Sequence, residues 1–277
     1  MFPIRDNNPS HSTAYVTIAL IIANVAIFVL QLSQPGDGSN RITWKYGFVP
    51  AEFVTSEKEF NAGLERNPPP KVATDRLGRP LINPFTRQPI LEPDIAAMRA
   101  AEAVPATINI FTCMFLHGGW MHLIGNMLFL WIFGNNVEDR LGPVLFLIFY
   151  LATGVCGNLM HTFFEPSFVP LVGASGAISG VMGGYLLLFP RARILAVVPI
   201  GYYPATFSLP AWIYLAFYFV MQNLYPASFG SGSHVAYWAH IGGFISGVAM
   251  ILVLPKRKQT TPPPVYDPRA DDADFVL

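Results

Sequence analysis

Charge is scarce in this chain. Of its 277 residues, 12% are charged and 52% hydrophobic, whereas a soluble domain carries about 25% charged residues. Mean hydropathy is +0.41. Between Arg140 and Lys256 the only Asp, Glu, Lys or Arg side chains are Glu165, Arg191 and Arg193. No water-facing surface can be built from that stretch, so the sequence reads as an all-α polytopic membrane protein. Lysine is missing from Val72 to Pro255, which excludes a Ser-Lys pair inside a membrane. The two cysteines, Cys113 and Cys156, form neither a CxxC nor a zinc spacing, so they imply packing and no disulfide framework. HExxH is absent, so that zinc-protease motif is not present. A net charge of zero leaves no nucleic-acid footprint.

A membrane-crossing helix needs about 20 mostly apolar residues. Six windows qualify: Thr13–Leu32, Gly118–Asn136, Pro143–Phe163, Ala174–Pro190, Phe207–Leu224 and Val235–Leu254. Two apolar patches, Phe168–Val172 and Ile194–Tyr203, are too short to cross and are expected at the interface. The first window exceeds a signal-peptide core and is followed by no small-residue cleavage site, so it is expected to be retained. Basic residues in the short loops set the orientation. Arg140, the pair Arg191 and Arg193, and Lys256-Arg257-Lys258 follow windows two, four and six; the loops after windows three and five have no Lys or Arg. Both termini are therefore expected in the cytoplasm. The domain plan is a short cytoplasmic N-terminus (1–12), a membrane domain (13–254) with a long external loop (33–105), and a disordered tail (255–277). Short amphipathic helices are expected near Ala51–Leu64 and Asp94–Ala103 in that loop.

Windows two, four and six run in the same direction, so their first halves lie at similar depth. That places His122, Asn126, Ser175 and His240 together, from three helices. Polar groups are expensive in lipid and mark function by default. His122 and Asn126 are four residues apart and share a helix face. Both can donate hydrogen bonds and could hold an oxyanion; a polar pair bridging two helices is the plainer account of them alone. Ser175 begins the shortest window, in the run Gly173-Ala174-Ser175-Gly176. First-turn amides there are unpaired, and the helix dipole favours negative charge. Gly176, Gly180 and Gly184 fit small-residue helix packing, which explains the glycines better than the serine. His240 shares a face with Gly243 and Gly247. If that bare face meets the glycine face of window four, His240 comes beside Ser175 as a nucleophile-base pair. No Asp or Glu falls inside windows two to six, so a membrane-embedded Ser-His-Asp triad or aspartate pair is unavailable, leaving a Ser-His dyad.

These residues resemble the rhomboid family of intramembrane serine proteases. The likeness covers roughly Phe115–Leu254 and rests on HxxxN at His122–Asn126, GASG at Gly173–Gly176 and AHxxGxxxG at Ala239–Gly247. Glu138 and Arg140 look like the family's ExR element, and His117 fits a recurrent position. The resemblance implies a six-helix bundle with Ser175 as nucleophile and His240 as general base. His122, Asn126 and the Ser175 amide would form the oxyanion hole, and catalysis would need no metal or organic cofactor. It further implies transmembrane protein substrates, drawn from the lipid bilayer and cut near their outer end, with small residues favoured before the cut. Some members carry a Tyr four residues after the nucleophile, stacked on the catalytic His; here that position is Ser179. Inactive relatives that only bind and escort membrane clients lack the Ser or the His, and this chain keeps both. A bacterial plasma membrane is the expected setting.

Overall fold

The computed structural model describes residues 2–34, 38–56, 59–60, 104–200, 203–229 and 235–257. The expected helix at Asp94–Ala103 and the tail from residue 258 lie outside them, as does part of Ala51–Leu64. The elements run β1 (Phe2–Asp6), α1 (Tyr15–Ser33), α2 (Gly38–Tyr46), α3 (Pro50–Val54), α4 (Ala106–Thr112), α5 (Trp120–Leu141), α6 (Pro143–Phe164) and α7 (Ser175–Leu188). There follow β2 (Arg193–Ile200), β3 (Tyr203–Pro210), α8 (Ala211–Phe219), a wide π-type segment (Val220–Leu224), α9 (Tyr225–Phe229) and α10 (Tyr237–Val253). A 3-10 turn, Cys113–Phe115, links α4 to the loop before α5.

The helical bundle is sorted for lipid. On α1 the buried stripe is Thr17, Leu20, Asn24, Phe28 and Gln31, three of them polar, at helical spacing. The opposite face exposes Ile22 and Val29, 62% and 52% accessible. Polar side chains inside and aliphatic ones outside suit a hydrocarbon solvent, in which interior polar groups find partners in the protein. Asn24 donates to the Leu20 carbonyl at 2.7 Å. Gln31 grips the His117 backbone from both sides, accepting its N–H at 3.1 Å and donating to its C=O at 3.4 Å. Two helices, α1 and α6, are by themselves long and apolar enough to cross a membrane.

The window starting at Phe207 needs correction. Phe207–Pro210 belongs to β3, and the helix starts only at Ala211. Pro210 has no N–H for a strand ladder and fits the entry to a helix. Glu138 and Asp139, which lie past the end of the second window at Asn136, complete the last turn of α5. The Glu138 carboxylate, only 2% exposed, accepts the Val16 and Thr17 amides at 2.9 and 2.7 Å and the Thr17 hydroxyl at 2.8 Å. It therefore caps the first turn of α1 from a neighbouring helix, where unpaired amides and the helix dipole favour an anion.

The fold is also not purely α. An antiparallel sheet of order β1-β2-β3 pairs Phe2 with Val197 and Asp6 with Ile194, and Ile194 with Leu209 across the hairpin. Ile194 and Ala196, two positions apart on β2 and so on one face of it, are fully buried. Asp6 ties the sheet to the ends of α5 and α7 remote from Ser175: it accepts from Asn136 at 2.8 Å and from the Tyr185 hydroxyl at 2.5 Å. Burial pushes the Asp6 carboxyl up to about 6, against the lowering effect of the Tyr185 hydroxyl.

Candidate active site

The site forms where α7 begins. The chain reaches Ser175 through an extended approach that is held on both sides. Phe48 and Leu171 exchange backbone hydrogen bonds, and the Gly173 amide donates to the Cys113 carbonyl at 2.9 Å. Gly173 has φ +123°, a conformation L side chains rarely adopt. A Cβ there would stand 2.7 Å from the His122 ring. Glycine is thus required twice over, once by the backbone angle and once by the imidazole. The first-turn amides of α7 have no side-chain cap.

Two glycine-rich faces bring α7 and α10 together. A Cβ on Gly243 would strike the Gly176 carbonyl, and one on Gly247 the Gly180 carbonyl. On the α7 side Gly176 lies against Ala239, and a Cβ on Gly180 would collide with Thr153 of α6. With no side-chain bulk between them, the two backbones touch, and His240 on α10 comes level with Ser175 on α7. Ser175 Oγ lies 2.8 Å from His240 Nε2.

The other imidazole nitrogen is also engaged. His240 Nδ1 lies 2.7 Å from Asn223 Oδ1, and Asn223 Nδ2 donates to the Tyr218 carbonyl at 3.0 Å. A carbonyl oxygen only accepts, so the amide must point its nitrogen at Tyr218 and its oxygen at His240. An amide oxygen likewise only accepts, so His240 carries its proton on Nδ1. Nε2 is then bare and accepts the Ser175 hydroxyl proton. No orienting partner for His240 is legible in the sequence, because Asn223 sits beside Gln222 inside an otherwise largely apolar window. Ser179 is fully buried, with its hydroxyl 3.4 Å from the Tyr218 hydroxyl.

His122 and Asn126 face this pair from α5. Ser175, His240, His122, Asn126, Gly125 and Tyr218 all line one cavity of 640 Å³. Asn126 is 7% exposed, and its amide nitrogen has no hydrogen-bond partner among the described residues. That nitrogen lies 3.7 Å from where a Gly173 Cβ would sit, and His122 Nε2 lies 2.8 Å from the same point. Two nitrogens from α5 thus converge just ahead of Ser175. His117 packs edge-on against the His122 ring at 5.2 Å. Among the described residues no group of three or more His, Cys, Asp or Glu could hold a metal ion.

The Rhomboid domain family model matches residues 105–257, more than half of the chain and the whole of this site. The chain belongs to the rhomboid family. Members are typically intramembrane serine proteases, and the family fold is a helical polytopic membrane bundle. Among similar rhomboid proteins, a RHOMBOID-like protein 1 of Arabidopsis thaliana is 29% identical over 78% of this chain and 55% of its own length. The mitochondrial Rhomboid protein 1 of Saccharomyces cerevisiae is 34% identical over 52% of this chain and 41% of its own. The rhomboid protease GluP of Bacillus subtilis is 36% identical over 53% of this chain and 26% of its own. The chain spans about half or less of the length of these relatives. It is an integral membrane protein by family.

Proposed function

We propose that this rhomboid is an active serine endopeptidase, one that hydrolyses peptide bonds in or beside the transmembrane segments of other membrane proteins. The observation that carries the reading is the 2.8 Å pair between Ser175 Oγ and His240 Nε2, with Nδ1 already occupied. An imidazole held in this tautomer is poised as a general base. His240 Nε2 takes the hydroxyl proton as Ser175 Oγ attacks the scissile carbonyl. The carbonyl oxygen becomes an oxyanion facing Asn126 Nδ2, His122 and the Ser175 amide. His240 then passes its proton to the leaving amine as the C–N bond breaks, leaving an acyl-serine. A water, deprotonated in turn by His240, hydrolyses that ester and regenerates Ser175.

Preorganised donors are usually the largest catalytic contribution in such chemistry. The cavity supplies room for a peptide strand and for water at Ser175. We place six crossings in the bilayer, with both termini in the cytoplasm and the site near the outer surface, on the strength of the Lys/Arg loops. A bacterial plasma membrane is the proposed setting, in keeping with the Bacillus subtilis relative. The test is a fluorophosphonate serine probe on purified protein in detergent, comparing wild type with Ser175→Ala and His240→Ala. Labelling that disappears in both variants is expected. Folded wild type that stays unlabelled would overturn the reading and favour a binding and escort role.

A further inference from the structure

We propose that Asn223 is the residue that positions His240 for catalysis, supplying from the π-type segment that follows α8 what no carboxylate or aromatic ring on α7 supplies. This rests on the serine-protease reading above. Three observations converge on it. First, Asn223 Oδ1 accepts a hydrogen bond from His240 Nδ1–H at 2.7 Å, and the same amide is locked in orientation by its bond to the Tyr218 carbonyl. Second, Asn223 is 1% exposed, so water does not compete for that acceptor. Third, Asn223 sits in the wide π-type segment Val220–Leu224. Each residue of a regular α-helix turns about 100°, so one extra residue in a turn re-aims every side chain after it. The irregular turn aims Asn223 at the imidazole; π-type turns of this kind are frequent at functional sites.

A neutral acceptor also makes chemical sense here. Fixing the tautomer and ring angle needs only a lone pair on Nδ1–H. A carboxylate would do the same while placing a full charge among apolar helices, where an unpaired anion is heavily penalised. The amide accepts the weaker hold on the imidazolium that forms during turnover and avoids that burial penalty. Asn223 touches neither substrate nor the reacting serine. It acts through His240 and belongs to a helix other than the two that carry the dyad.

The experiment measures kcat and KM on a fluorogenic transmembrane peptide in proteoliposomes, together with thermal midpoint, for wild type, Asn223→Ala, Asn223→Leu and Asn223→Asp. Ala and Leu both remove the acceptor, and Leu keeps the volume should Ala fail to fold. Expected is a fall in kcat of at least about tenfold for both, with KM within about twofold, since a mis-set tautomer costs orders of magnitude in serine proteases. Asp restores an acceptor for Nδ1–H and should return kcat to within a few-fold of wild type. Wild-type kcat in folded Asn223→Leu would overturn the proposal. So would equal losses in Leu and Asp, which would mean that Asn223 only holds the fold. A wild type inert to both peptide and fluorophosphonate would instead bring down the protease reading, and this inference with it.

Discussion

Single atoms decide whether this cavity can do chemistry. Asn126 Nδ2 is the clearest case, a buried donor beside the nucleophile with no partner among the described residues. Buried polar atoms are nearly always paired, so an orphan at this point is explained by a ligand oxygen that arrives only during reaction. Asn126→Ala should lower kcat by about 10²- to 10³-fold, the loss typical of an oxyanion donor. Thermal midpoint should stay near wild type, because the Asn126 amide nitrogen makes no hydrogen bond among the described residues. An unchanged kcat would remove Asn126 from the oxyanion role. The spacing of His122 and Asn126 was legible in the sequence because four residues make one helical turn. Asn223 was not, because its aim depends on an irregular turn that leaves no mark on hydropathy.

At the scale of elements, the pairing of α7 with α10 sets the dyad. The glycine runs were legible as small-residue faces; which faces meet is a matter of three-dimensional packing. Gly247→Val tests the seam without touching either dyad residue. Its side chain would run into the Gly180 carbonyl, a backbone atom that cannot swing away. The helices must separate or rotate, at a cost of roughly 1–3 kcal/mol for overpacking. Probe labelling should fall sharply, and more than the loss of folded protein explains. Labelling in proportion to folded protein would show that the seam tolerates a wider gap. Hydropathy alone misplaces two element boundaries, the start of the Phe207 window and the charged end of α5. An apolar run fits strand and helix equally, and a helix does not stop where charge begins. Glu138 continues α5 because its charge is spent on capping α1.

Over the whole molecule, the sheet and the far ends of α5 and α7 are joined through Asp6. Because burial raises its carboxyl from 3.8 to about 6, the folded protein holds a proton that the unfolded chain releases between those values. The contribution of Asp6 to stability is full below about pH 4 and is lost as pH rises through about 6. Thermal midpoints across that window should decline with pH in wild type and decline less in Asp6→Asn. Parallel slopes for the two proteins would show that Asp6 is paired or hydrated in solution.

The seam of α7 on α10 has one more consequence. Contacts made of main-chain atoms have no rotamers through which to yield, so the two helices cannot slip along each other by less than a full turn. When the surrounding lipid thins or thickens, the pair must tilt as one body, and the 2.8 Å between serine and imidazole travels with it. Intrinsic reactivity toward a small soluble probe should then be the same in short-chain and long-chain phosphatidylcholine. Cleavage of a long hydrophobic segment, which must fit the bilayer in its own right, should vary between them. Probe reactivity that follows chain length would show that lipid can pull the dyad apart.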